Sequence, residues 1–191
     1  MLFFPSDRRW RQRRRERGYT VERTSSEDRR LDDAHKRDIV VKRLNERGVS
    51  LEEIAEITLD LQKPHVPGLT LATCLDHVER VVMKREVQHA VLTGLELDVL
   101  AEKGLVSEPL RSILMSDYGL YGIDEVLALA IVNVYGSIGL TNFGYVDKTK
   151  LGIVKKVDER GKADGVCHTF LDDMIGAIAA AAASSVAHRY A

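Results

Sequence analysis

The chain has 191 residues, 45% of them hydrophobic and 30% charged, which suits one domain that buries its own core without disulfide or zinc staples. That composition excludes a collagen, a coiled-coil rod and a fully disordered chain, and the two isolated cysteines, Cys74 and Cys167, exclude a disulfide scaffold. The formal net charge of −1 hides a split, because residues 1–30 hold ten Arg against five acids and the remainder is acidic.

Residues 1–33 read as a basic tail, with Arg8, Arg9, Arg11, Arg13, Arg14, Arg15 and Arg17 around Trp10. Like charges at that density repel one another and rarely fold alone. Such an arm suits contact with an anionic membrane. A nucleic-acid partner is not expected, because the acidic body offers no larger basic footprint. Leu2-Phe3-Phe4 is too short for a signal-peptide core, so a cytoplasmic protein is expected, peripheral at the inner face of the membrane if the arm binds lipid.

Residues 34–191 read as a single helical domain. Ile39, Val40 and Leu44 form a first stripe that Gly48 ends. Ser50 and Glu53 make a capping box, and Leu51, Ile54, Ile57 and Leu61 follow at helical spacing until Pro64 and Pro67-Gly68. Thr70 to Lys103 reads as helical throughout, with a kink expected at Gly94. Pro109 marks the start of another helix. Ile123 to Tyr135 is apolar on most faces and reads as the helix at the centre of a bundle. Val126 to Val146 carries no charge over 21 residues, the length of a membrane span. Its glycines and polar residues instead suggest a buried helix that breaks near Gly136–Gly139 and leads into a loop. Phe170 to His188 is the last helix. Its alanines let neighbours approach closely, and its uncharged face, Met174–Ala187, is a candidate contact with a second subunit in a homo-oligomer. No segment alternates like a strand. The expectation is an all-α fold, a compact bundle of about six to eight helices around an apolar central helix.

Three acidic groups interrupt sequence that should be buried: Asp124-Glu125, Asp147 and Asp172-Asp173. Burying a carboxylate costs several kcal/mol unless it is paired or binds a metal. A helix N-terminus repays only about 0.3–1 kcal/mol per acid. Capping explains one acid per helix more easily than doubled acids on two core helices. A hard cation is the other explanation, and carboxylate oxygens are magnesium's ligands. Lys148 and Lys150 follow Asp147, where a metal-bound phosphate needs cations, while Lys155 and Lys156 read as part of a solvated loop. Cys167-His168 reads as structural rather than as a nucleophile and base. His65, His77 and His89 share no ligand spacing. There is no phosphate loop of the GxxxxGK type, no GxGxxG and no GxSxG.

Ile123-Asp124-Glu125, Gly144-Tyr145-Val146-Asp147-Lys148-Thr149-Lys150 and Phe170-Leu171-Asp172-Asp173-Met174 together resemble the phosphatidylglycerophosphatase A family. That family has a D-E pair, a D-x-x-K element and a D-D pair on its last helix. Asp158 lies where a further family Asp often falls. The resemblance covers about residues 40–190 and is to a soluble, helical Gram-positive branch labelled low temperature requirement C. It implies a magnesium-dependent phosphatase that converts phosphatidylglycerophosphate to phosphatidylglycerol, or acts on another phosphomonoester, with one or two Mg ions. Asp124, Asp147 and Asp172 would hold metal. Glu125 and Asp173 would complete the shell or take a proton from the attacking water. Lys150 and Lys148 would stabilise phosphate charge, and Asn142 would orient substrate or water. The chain lacks the several spans of the better-known members, so a non-enzymatic helical module binding membranes or partners is the alternative.

Overall fold

The computed structural model describes residues 32–164 and 166–190, with backbone alone for 162–164. Most of the expected basic tail lies outside the described residues. The helices are α1 (Asp33–Glu46), α2 (Leu51–Gln62), α3 (Leu71–Val82), α4 (Arg85–Glu102), α5 (Leu110–Met115), α6 (Ile123–Val132), α7 (Gly136–Thr149), α8 (Ile153–Asp164) and α9 (Leu171–Tyr190). A 3-10 turn, Asn133–Tyr135, joins α6 to α7. No strand occurs among the described residues, and the fold is all-α as expected.

Local chemistry sets the ends. Asp32 caps α1, accepting from the His35 amide at 2.6 Å, and Gly48 follows α1 at φ 74°, a left-handed turn that glycine adopts without strain. Ser50 and Glu53 form both halves of the capping box on α2, at 3.1 and 3.2 Å. The long helix expected from Thr70 to Lys103 is two helices, α3 and α4, separated at Met83 and Lys84 rather than kinked at Gly94. Gly94 stays helical, and its missing side chain leaves room for Phe170: a Cβ there would lie 2.9 Å from the Phe170 Cβ.

The central helix is α9, not the segment Ile123–Tyr135. From Leu171 to Ser184 every residue of α9 is buried, and α2, α3, α4, α6, α7 and α8 all pack on it. Ile123, Val126 and Val134 are instead 51, 59 and 47% exposed. The physical reason is size. Ala179–Ala183 contribute little hydropathy, yet they let surrounding helices come within hydrogen-bonding distance of the α9 backbone. Thr58 Oγ1 of α2 donates to the Ala179 carbonyl at 3.3 Å, and Ser184 Oγ of α9 donates to the Tyr135 carbonyl at 2.8 Å. The face Met174–Ala187, expected to meet another subunit, is covered by the chain's own helices.

The chain breaks at Gly136, as expected, but continues as a returning helix rather than a loop. Gly136 has φ 70° and reverses the direction. The reversal is fixed by contacts at both ends of α9. Asp124 on α6 lies beside Asp173, and Tyr135 beside Ser184. On the way back, Phe143 and Val146 on α7 reach Gly176, and Lys150 reaches Asp172. Gly139 packs on Val132 and Tyr135, where a Cβ would lie 3.1–3.2 Å from its neighbours. The stretch Ile123–Thr149 is apolar and long enough for a span by count, but each arm of this hairpin, 10 and 14 residues, falls short of the ~20 that a bilayer needs. With the hairpin counted once, eight helical units are described.

Candidate active site

Three chain segments meet at the N-terminal end of α9. The first turn of α9 supplies Asp172 and Asp173, the first turn of α6 supplies Asp124 and Glu125, and the end of α7 supplies Asp147 and Lys150. One oxygen from each of Asp124, Glu125 and Asp173 lies within 4.8 Å of the others, with Asp124 and Asp173 buried and Glu125 exposed. Lys150 is the C-cap of α7, in a left-handed conformation at φ 48°. That turn aims its ammonium at Asp147 and Asp172, 2.8 Å from an oxygen of each.

Five acids face one lysine here, and the carboxyl groups respond. Burial, then the charges of Asp172, Asp124 and Asp147, push Asp173 up to about 9. Burial and the shared contact with Glu125 push Asp124 up to about 7. Burial raises Asp172 as well, against the pull of Lys150. Burial disfavours the Lys150 ammonium, but Asp172 and Asp147 outweigh it and hold its pKa above the ordinary range. A site with this much unshared negative charge repels a phosphate dianion and attracts a cation. Oxygen-only donors of this kind suit a hard divalent ion such as magnesium rather than zinc, so the residues fit the metal that the family resemblance implies.

The remaining expected residues are not among the three acids that converge or the Lys150 ion pairs. Lys148 is exposed on α7 and has no partner among the described residues. Asn142 is half-buried, and its Nδ2 is buried without a hydrogen-bond partner among the described residues. Asp158 on α8 lines a small cavity behind Asp172 together with Asp117, His168 and Gly161. Lys155 and Lys156 lie on a helix, α8, not on a loop, and both are exposed.

Residues that sequence reasoning missed hold the acids in place. Asp98 on α4 is fully buried and accepts from the amides of Phe170 and Leu171, at 3.2 and 3.1 Å. It therefore caps α9 from a neighbouring helix, at the same first turn that carries Asp172 and Asp173. Burial pushes Asp98 up to about 7, against the pull of the Phe170 amide. The Cys167 thiol donates to Asp98 at 3.3 Å, and burial pushes it up to about 12, which makes it an inert structural group. Glu102 accepts from the Cys167 amide at 2.9 Å and from Arg47 at 2.6 and 3.0 Å. Arg47 also donates to the Cys167 carbonyl at 2.5 Å. His168 Nδ1 lies 2.8 Å from the Val157 carbonyl, and His77 Nδ1 lies 2.8 Å from Ser185 Oγ. One signal for Asp98 was in the sequence: it continues the buried stripe Val87, Val91, Leu95 three residues on.

Residues 53–188 match the family model described as phosphatidylglycerophosphatase A. The chain is 58% identical over 147 residues to uncharacterized protein YutG of Bacillus subtilis (strain 168), covering 77% of this chain and 87% of that protein. It is 57% identical over 153 residues to uncharacterized protein YpjQ of the same organism, covering 80% and 85%. Among solved structures, the low temperature requirement C protein of Listeria monocytogenes superposes with a TM-score of 0.78 at 56% identity, over 81% of this chain and 96% of that one. The YpjQ crystal structure gives 0.79 at 53% identity, over 83% and 97%.

Proposed function

The chain belongs to the phosphatidylglycerophosphatase A family, and from that premise we propose that it is a magnesium-dependent phosphomonoesterase that converts phosphatidylglycerophosphate to phosphatidylglycerol. The observation that carries the reading is the approach of Asp124, Glu125 and Asp173 within 4.8 Å at the buried end of α9. The protein would act in the cytoplasm, at the inner face of the membrane where such a lipid is exposed.

Asp124, Glu125 and Asp173 would hold the ion, which supplies charge neutralisation at the phosphoryl oxygens when bound. Asp147 and Asp172 have a different task in this geometry. Both are tied to Lys150, and together they fix its ammonium beside the cluster. Lys150 stabilises the negative charge that the phosphoryl group spreads over its oxygens as the ester bond breaks. Glu125 is the exposed member of the cluster, placed to accept a proton from the attacking water. The clamp of Asp98, Glu102 and Arg47 keeps the first turn of α9 fixed while charge changes around it, so no reorganisation is needed during the reaction. Lys148, exposed at the end of the hairpin, and Asn142 contribute to holding substrate.

The test is phosphate release from phosphatidylglycerophosphate in mixed micelles, with magnesium and with EDTA. Release is expected to need magnesium. It is expected to fall by roughly a hundredfold or more in Asp173→Asn and Asp147→Asn, with helical circular dichroism unchanged. Release that persists in EDTA, or at full rate in Asp173→Asn, refutes the proposal.

A further inference from the structure

The loop between α5 and α6 turns left-handed three times in six residues. Asp117, Leu120 and Gly122 have φ 45, 67 and 70°. Gly122 adopts that conformation freely, but a bulky residue such as Leu120 rarely does. The Leu120 side chain gains no packing in return, because it is fully exposed. What the turn secures is the next residue. The Tyr121 amide donates to the Tyr118 carbonyl at 3.1 Å, and the Tyr118 amide donates to the Ile113 carbonyl of α5 at 3.1 Å. Tyr121 is thereby turned inward and half-buried, while Tyr118 and Leu120 stay outside. Its ring meets Phe170 edge-on, with centroids 6.0 Å apart and planes at 90°, and packs on the small cluster of Ala101, Leu114 and Cys167. Strain of this kind persists where the surrounding structure dictates it, and it gathers at functional sites.

The loop borders the acids. Tyr121 stands three residues before Asp124, and Phe170 two residues before Asp172, so the ring contact joins the two helix starts that carry the acids. A Cβ on Gly122 would lie 3.8 Å from Glu125 Oε2 and 3.9 Å from the Leu120 carbonyl oxygen, which places the loop beside the exposed member of the cluster. A phenylalanine at 121 would supply the same edge-on contact, so packing leaves the phenol unexplained. Its hydroxyl has no hydrogen-bond partner among the described residues. Burial, and the charges of Asp124 and Asp98, hold it above its ordinary pKa, so it keeps its proton and stays a donor. Donors are scarce in this site. Carboxylates only accept, and the Lys150 ammonium is already paired with Asp147 and Asp172. A phosphate group is a set of acceptors and needs them.

We propose that Tyr121 is a substrate-contacting residue, whose hydroxyl donates a hydrogen bond to a non-bridging oxygen of the phosphate group held at the acid cluster. This contact rests on the phosphatase reading and adds a neutral donor to it.

The experiment compares the full chain with Tyr121→Phe, which deletes the hydroxyl and keeps the ring. Two quantities are measured with magnesium present: kcat/KM for phosphate release from phosphatidylglycerophosphate in mixed micelles, and the affinity for inorganic phosphate by calorimetry. Both are expected to fall about tenfold to a hundredfold, the range for losing a hydrogen bond to a charged group. Melting temperature, and magnesium affinity without phosphate, are expected to stay at their wild-type values, because the Phe170 contact and the acids remain. Either of the first two quantities left unchanged in Tyr121→Phe overturns the proposal. So does a fall accompanied by an equal loss of magnesium affinity or by a lower melting temperature, since the hydroxyl then acts through the fold. A wild-type chain that releases no phosphate refutes the phosphatase reading and the proposal with it. Release in the wild type that the substitution leaves untouched refutes the proposal alone.

Discussion

Replacing Asp98 by Ala removes the acceptor that caps α9 from outside. The amides of Phe170 and Leu171, which donate to it at 3.2 and 3.1 Å, are left buried without a partner. Each orphaned donor costs about 1–3 kcal/mol, so the loss is about 2–6 kcal/mol before any compensation. Compensation depends on pH, because burial holds the Asp98 carboxyl up to about 7, against an ordinary value of 3.8. A carboxyl raised on folding binds more protons in the native than in the unfolded state between those values. Native stability therefore falls as pH rises from about 4 to about 7, and the penalty is complete above that. Between pH 5 and pH 8 the wild-type chain loses about 2–3 kcal/mol from this group, and the alanine variant loses none of it. Asp98→Ala is thus expected to be strongly destabilised at pH 5 and much less so at pH 8. Urea unfolding followed by circular dichroism at the two pH values measures the difference. A destabilisation equal at both refutes the reasoning, because it means that the α9 amides hold Asp98 ionised in spite of its burial.

Gly94→Ala gains about 1 kcal/mol of helix propensity but drives a Cβ to 2.9 Å from the Phe170 Cβ, which is anchored to the backbone just before α9. A net loss of about 1–2 kcal/mol is expected in thermal unfolding, and a gain in melting temperature contradicts the packing argument. Lys150→Met leaves Asp147 and Asp172 without their cation, and the remaining acids repel more strongly. The neutral carboxyl is then favoured further in the folded state, so the variant is expected to lose about 1–3 kcal/mol at pH 8 and less at pH 5, read by urea unfolding at both.

The helices were legible wherever the apolar positions were large. Ile54, Ile57, Val87 and Val91 kept their spacing, and Ser50 with Glu53 announced a start that the structure reproduces. Hydropathy misled at the centre, because it scores side-chain size. It promoted Ile123, Val126 and Val134, which end on the surface, over Ala179–Ala183, which are fully buried. The reversal at Gly136 was legible as a break and not as a hairpin, since the returning arm is specified by α9, more than thirty residues on. The acids were legible as a group because they interrupt apolar sequence. The ion pairs of Asp147 and Asp172 with Lys150 were not, because a left-handed cap aims the lysine and spacing does not reveal it. The clamp escaped for the same reason. Arg47 and Glu102 lie 55 positions apart, and each alone looks like an ordinary surface charge.

The location of the acids also follows from their cost. The end of a helix dipole stabilises an adjacent carboxylate by about 1 kcal/mol, whereas burying one costs several. One lysine cannot offset five acids, so some of the deficit is met by protons: burial and the neighbouring acids raise the Asp173 carboxyl to about 9 and the Asp124 carboxyl to about 7. Asp124, Glu125 and Asp173 would hold a divalent ion in place of those protons, and it would supply the positive charge the cluster lacks. A phosphate dianion arriving first meets only the partly ionised acids. If the proposed function holds, the order of loading would be cation and then phosphoryl group, and the chelator comparison bears directly on whether these carboxyl groups are catalytic equipment or only an expensive way to begin a helix.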